Sequence, residues 1–190
     1  MPEAYALPSE RSRPVLSTWR EVDGADVRMV GVVSIHRDLA DERPDHEFEG
    51  WLVAVAEALR DPSVLDAVAA LVRLHEVAAP SEAYYSAVVA TIGQNGVSIA
   101  RAGAASAERA GRRGWRSVVP PDLATVGTSS LLHPTIGTAQ WHPGEATSAR
   151  KAGGLWLVSG GELPPDFPDG ATPLEPASGV VRGGLAARLG

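Results

Sequence analysis

The sequence has no cysteine, a single lysine (Lys151) and only 5% aromatic residues among 190. Without cysteine there is no disulfide framework, no thiolate zinc site and no cysteine nucleophile. No stretch approaches the roughly 20 apolar residues of a membrane-spanning helix. The opening MPEAYALPSERSRP sets prolines and charges where a secretory leader would carry an apolar run. Excess positive charge is lacking too: Lys+Arg 17 against Asp+Glu 23 leaves a formal net charge of -6. That balance disfavours nucleic acid and anionic membranes as general partners. The scarcity of lysine reads as the bias of a GC-rich genome. The expectation is a cytoplasmic protein.

What the chain does contain is 44% apolar residues, 20 glycines and 15 prolines, enough to bury the core of one domain. Residues 1–14 hold three prolines without periodicity and read as an extended lead-in. From Val15, VLSTWREV and then VRMVGVVSI, joined through Asp23-Gly24, predict a hairpin whose second strand is apolar enough to be central. Asp45 can cap a helix carrying Phe48, Leu52, Val55, Ala56 and Leu59 on one face. Pro62 suits the first turn of a second helix, with Val64, Leu65, Val68, Leu71, Val72 and His75 on its apolar face.

SAVVATI and VSIARA flank GQNG, where Asn95-Gly96 offers the positive φ of a tight hairpin turn. A second turn at Gly111–Gly114 leads back through Trp115 to Val119, and LWLVS is a late apolar strand ended by Gly160-Gly161. Val32, Val33, Leu52, Val55, Leu59, Val68, Leu71, Val88, Ile99, Leu155 and Leu157 are expected in one core. Residues 15–161 therefore read as the domain. Residues 162–190 read as a Pro/Gly-rich tail, with five prolines between 162 and 178, whose Val180, Val181, Leu185 and Leu189 are candidates for an apolar contact in trans.

In this order the elements resemble the metal-dependent serine/threonine phosphatases of type 2C, including their bacterial sporulation-type branch. VGVVSIHRD sits where that family runs a strand into Asp-Gly-x-Gly-Gly, and FEGWLVAVAEAL resembles the following helix. SAVVATIGQNGVSIARAGAASAERAGRRGW resembles the hairpin leading into Gly-Asp-Ser-Arg, and LWLVSGG the late strand ending in Ser-Asp-Gly. The resemblance covers roughly 15–161 and implies an α/β (α+β) fold, an antiparallel β-sandwich flanked by helices.

The departures carry the functional message. The family's strand-end aspartates hold two divalent cations that generate hydroxide and clamp the phosphoryl oxygens. Here those positions fall at Ile35 or His36, at Gly103-Ala104 and at Ser159-Gly160-Gly161, and no closing Asp-Asn pair follows. Alanine and glycine offer a hard cation no side-chain oxygen. The resemblance therefore implies a degenerate, shortened relative without cofactor or metal, a pseudophosphatase acting by binding a protein partner, itself included, or a small ligand. The remnant cleft would draw on Arg20, His36, Gly103 and Ser159. The family's phosphate-binding arginine has Arg11, Arg13 or Arg20 as counterparts.

Other chemistry competes. His36, Asp38, Asp41, Asp45 and His46 crowd one polar stretch after a central strand, where His36 and Asp38 could serve repurposed catalysis, with or without a single metal. A helix-capping loop explains the same residues. His133 and His142 lack the i,i+4 register of a helical metal pair, and His75 reads as a hydrogen-bonded histidine on an apolar face. Ser159 lacks a full Gly-x-Ser-x-Gly elbow. The turn AGRRGWR, with Arg109, Arg112, Arg113 and Arg116 around Trp115, reads as a hairpin tip first and a partner-facing patch second.

Overall fold

Alternation of apolar residues with small or polar ones runs through most of the chain, and strands dominate the computed structural model. It describes residues 3–8, 15–23, 28–37, 50, 53, 54, 57, 66–78, 85–93, 96–102, 106–111, 113–119, 123–126, 129–132, 146–149, 155–175 and 180–189. The strands are β1 (Glu3–Leu7), β2 (Val15–Asp23), β3 (Arg28–Arg37), β4 (Tyr85–Gly93) and β5 (Gly96–Ala102). They continue with β6 (Ala107–Gly111), β7 (Gly114–Val119), β8 (Leu123–Val126), β9 (Ser129–Leu132) and β10 (Ala146–Ala149). The last are β11 (Leu155–Ser159), β12 (Thr172–Leu174), β13 (Val180–Arg182) and β14 (Gly184–Leu189), and the helix α1 spans Ala67–Ala78.

Two six-stranded sheets result, together with a separate two-stranded β8–β9 sheet. Sheet I has the order β12-β1-β14-β11-β6-β7 and sheet II the order β10-β5-β4-β3-β2-β13. Every pairing is antiparallel. The architecture is thus a mostly antiparallel α+β fold. The sheets face each other across one core, in which Trp19, Val88, Val97 and Ile99 of sheet II meet Ala4, Ala107, Leu157, Leu185 and Ala187 of sheet I.

Because strand neighbours point to opposite faces, β4 serves two layers. Val88 and Ala90 enter the core between the sheets, while Ala87 and Val89, also buried, lie on the face that α1 covers. The expected single core is therefore divided. Val88, Ile99 and Leu157 lie between the sheets, whereas Leu71 is buried on α1 with Leu74 and Ala70. Small residues on this face let the helix approach closely. The Ser98 hydroxyl accepts the Ala67 N–H at 3.3 Å, tying the helix N-terminus to β5.

The predicted hairpins are present, with shifts of detail. β2 and β3 pair from Val15↔His36 to Asp23↔Arg28, and β3 is central, as its apolarity requires. β4 and β5 close at Gly93↔Gly96, so residues 94 and 95 connect them and Gly96 is a strand residue; the expected Asn95-Gly96 turn is displaced by one. β6 and β7 close at Gly111↔Gly114, where Gly114 takes φ +100. Helix α1 begins at Ala67 rather than Pro62, because Asp66 caps it: its Oδ1 accepts the Ala69 N–H at 2.8 Å. Gly50, Val53, Ala54 and Glu57 are helical and exposed, in keeping with the earlier predicted helix.

The two ends of the chain depart most from expectation. Residues 3–7, placed in the lead-in, form a strand between β12 and β14. Residues 184–189, placed in the tail, form β14 in the middle of sheet I, paired with β1 on one side and β11 on the other. Leu185, Ala186 and Ala187 are buried there, which removes Leu185 from any contact in trans. Val180 and Val181 belong to β13, which extends sheet II beside β2. The proline-rich stretch before them, expected to be irregular throughout, contains β12, which pairs with β1, and the turns ahead of β12 are seated on the sheet. Successive turns join Pro164 to Phe167, Asp166 to Asp169 and Pro168 to Ala171. Phe167 lies 4.7 Å from the Trp156 ring centroid and 5.6 Å from that of Tyr5. With Leu163 and Ala171 it covers Leu7, Val158 and Ala186 on the outer face of sheet I.

Truncation after residue 179 removes a central strand, and cooperative thermal unfolding should be lost. Leu185→Ala in the full chain should cost about 2–5 kcal/mol in denaturant titration, the range for emptying a fully buried leucine site.

Candidate functional site

Strand register brings the singled-out strand ends to one end of the molecule. In sheet II, Leu16 pairs with Ile35 and Arg182, Ile35 with Ala87, and Ala87 with Ala102. In sheet I, Ser159 at the end of β11 pairs with Leu185. The ends of β3, β5 and β11, which the sequence named as the remnant cleft, thus meet the start of β2 and the β13–β14 junction.

Two hydroxyls close this end. The Ser159 Oγ–H donates to the Ser106 carbonyl at 2.8 Å, joining β11 to the lead-in of β6. The Ser17 Oγ–H donates to the Gly183 carbonyl at 2.8 Å, joining β2 of sheet II to the point where the chain enters sheet I. Both serines are buried, Ser17 completely. Gly183 is the lone residue between β13 and β14 and takes φ +121, a conformation glycine adopts without steric cost. A Cβ on it would collide with the Leu7 carbonyl oxygen. A Cβ on Gly184 would run into the Gly160–Gly161 backbone, and one on Gly161 would lie 2.7 Å from the Leu7 Cβ. Gly160 itself has φ +71. The Ser-Gly-Gly motif is therefore a packing device, in which three backbone segments approach more closely than side chains allow.

Ser159 is the cleft residue whose side chain is placed, and it is committed to a carbonyl. His36 pairs with Val15 and with Ser86, which is buried, so its backbone belongs to this end. Arg20 pairs with Gly31 and sits three residues, about 10 Å of strand, from Ser17; the register separates it from the strand ends. Asp38, Gly103 and Ala104 lie outside the described residues, as do Arg11, Arg13, Asp41, Asp45, His46, His133 and His142. His75 is half-buried in the last turn of α1, on the far face of sheet II. Among the described residues there is no group of three or more His, Cys, Asp or Glu able to hold a metal ion. Sequence reasoning missed Ser17, Ser106, Gly183 and Gly184. The Gly-Gly doublet between VVR and LAARL was the available signal.

No family model matches the chain, and no curated protein matches it. Solved structures do. A crystal structure of RsbX in complex with magnesium superposes with a TM-score of 0.57 at 11% identity, over 98% of this chain and 94% of that one. A chain of the bacterial stressosome, described as a modular system that has been adapted to control secondary messenger signaling, gives 0.57 at 13% identity, over 99% and 100%. The fold is shared over essentially the whole length. That length includes β1 and β12–β14, so the arrangement is not shortened relative to these two chains.

The magnesium of RsbX raises the question of whether the residues here fit such an ion. Magnesium takes near-octahedral oxygen ligands, usually one or two carboxylates with water. Among the described residues at this end, the Ser17 and Ser159 hydroxyls are already bonded to carbonyls and the glycines offer no side-chain oxygen. These serines and glycines do not fit it.

Gly183→Ala should destabilise the protein by about 1–3 kcal/mol or more through strain at a positive φ. Ser159→Ala, which leaves the Ser106 carbonyl unpaired, should cost about 1–3 kcal/mol. Chemical denaturation of both variants checks the order.

Proposed function

We propose that this chain is a non-catalytic, type 2C phosphatase-like protein of the cytoplasm that acts in regulation by binding a protein partner. The observation that carries the reading is the closure of the strand ends by serines and glycines. Where the resembled family arranges carboxylates around cations, Ser159 and Ser17 donate to backbone carbonyls and Gly160, Gly161, Gly183 and Gly184 pack backbone against backbone. A two-metal hydrolase needs charged oxygens on both sides of the attacked phosphorus, to generate the nucleophile and to hold the leaving oxygen. Hydroxyl–carbonyl pairs supply neither function.

A regulatory role agrees with the stressosome likeness, since that assembly is described as controlling secondary messenger signaling. It also agrees with the sequence, whose departures from the phosphatase pattern fall at the chemistry-bearing positions and spare the strands around them. Serine and glycine in place of carboxylates relieve the mutual repulsion that clustered carboxylates impose. The fold can then be held without a cation, and its surfaces can serve recognition.

The protein should show no manganese- or magnesium-dependent turnover of an aryl phosphate. Its melting temperature should be unmoved by millimolar magnesium or manganese, because a ligand that binds the folded state raises it with concentration. Manganese-dependent turnover, or a concentration-dependent rise, would overturn the reading.

A further inference from the structure

The β6–β7 hairpin is the part of the molecule that the preceding argument leaves unused, and its composition is out of keeping with an acidic chain. Residues 101–116 contain five arginines against one glutamate, in a protein of net charge -6. Arg109 and Arg116 stand directly opposite one another across the hairpin, and both are exposed, as is Arg113 at the turn. Like charges paired directly across strands are unfavourable, and no described carboxylate forms an ion pair with any of the three. Beside them Trp115 is 40% exposed, one of two large exposed hydrophobic residues among the described ones. β7 is also the last strand of sheet I. Charge alone would suffice to guard a free edge against unwanted pairing. Arg109 and Arg116 share one face of the hairpin and Trp115 stands on the other, with Arg113 at the turn; a hairpin tip that exposes both a tryptophan and arginines has the composition of an interface hot spot.

The opposite charge lies over the outer face of the same sheet and at its other edge. Between 160 and 175 there are four carboxylates and no cation. Glu162, Asp166 and Asp169 are exposed on the segment that Phe167 anchors to the sheet, and Glu175 is exposed just past β12, the opposite terminal strand. Pro173 within β12 lacks an N–H, which disfavours a continuous hydrogen-bonded ladder at that edge. A contact there would be made by side chains.

We propose that sheet I carries a head-to-tail self-association surface, in which the Arg113–Trp115–Arg116 hairpin of one copy docks on the acidic 162–175 segment of a second copy. The two surfaces differ, so the contact is heterologous and propagates into a ring or a short filament rather than ending at a two-fold dimer. The inference rests on the charge pattern of sheet I and is independent of what the Ser159 end does.

The test is sedimentation velocity of the full chain at roughly 0.05 M and 0.5 M salt, conditions that move the screening length from well above to well below 10 Å. Wild type should associate at low salt and dissociate at high salt. Arg113→Glu/Arg116→Glu and, separately, Glu162→Lys/Asp169→Lys should each weaken association at least tenfold. An equimolar mixture of the two variants should recover it, because the reversed hairpin meets the reversed segment. Arg73→Glu on α1, a charge change remote from both surfaces, should leave it unchanged. Circular dichroism establishes that each variant is folded, and Arg113→Gln/Arg116→Gln should act in the same direction with smaller effect if a reversal variant is not. A wild type that stays monomeric at low salt overturns the proposal. So does a hairpin variant that associates like wild type, or a mixture that does not recover.

Discussion

One residue carries the chain from one sheet to the other. β13 ends sheet II at Arg182 and β14 opens sheet I at Gly184, with Gly183 alone between them at φ +121. Its carbonyl takes the Ser17 hydroxyl from sheet II, and its Cα lies against the Leu7 backbone of sheet I. Much else depends on this corner. Because the turn is so short, β14 is delivered into the gap between β1 and β11, and its Leu185 and Ala187 complete the core that Trp19, Val88 and Ile99 enter from the other side. Without that corner the sheets would have to be joined by a loop, with the entropy of closing it set against the packing.

The corner also explains the chemistry of the end at which it lies. Close backbone approach at Gly160, Gly161 and Gly184 leaves little room for large polar side chains, and the hydroxyls that remain, Ser17 and Ser159, are the right length to reach a carbonyl. A buried carboxylate there would need partners with charge or several donors. Serine meets the demand with one hydrogen bond. Close packing and the use of serine at Ser17 and Ser159 are thus two aspects of a single local solution.

Sequence legibility followed the source of each element's stability. The β2–β3 and β6–β7 hairpins and α1 were readable because local signals determine them: alternating apolar residues, turn glycines, a stripe at helical spacing. Even there the limits were local, since Gly93↔Gly96 shifted the β4–β5 turn by one residue and Asp66 capped α1 ahead of any signal from Pro62. β1 (EAYAL) and β14 (GLAARL) escaped because alanine has weak strand preference, and their place comes from partners far away in sequence. The strand ends that gather around Ser159 were found from the family pattern. What that pattern could not supply was the closure by Ser17 and Gly183, which depends on β13 and β14.

The 162–171 segment shows how a stretch with no secondary-structure period can still be ordered. Its three prolines, Pro164, Pro165 and Pro168, reduce the entropy of the unfolded chain at those positions, which lowers the cost of fixing the segment. A single aromatic then supplies the gain: Phe167 meets Trp156 and Tyr5 edge to face, and Leu163 and Ala171 extend the contact over Val158. Placing its apolar residues on the sheet turns Glu162, Asp166 and Asp169 outward. The seating that covers one face of sheet I therefore creates the acidic surface on it, and the exposed charge is a consequence of how the segment packs.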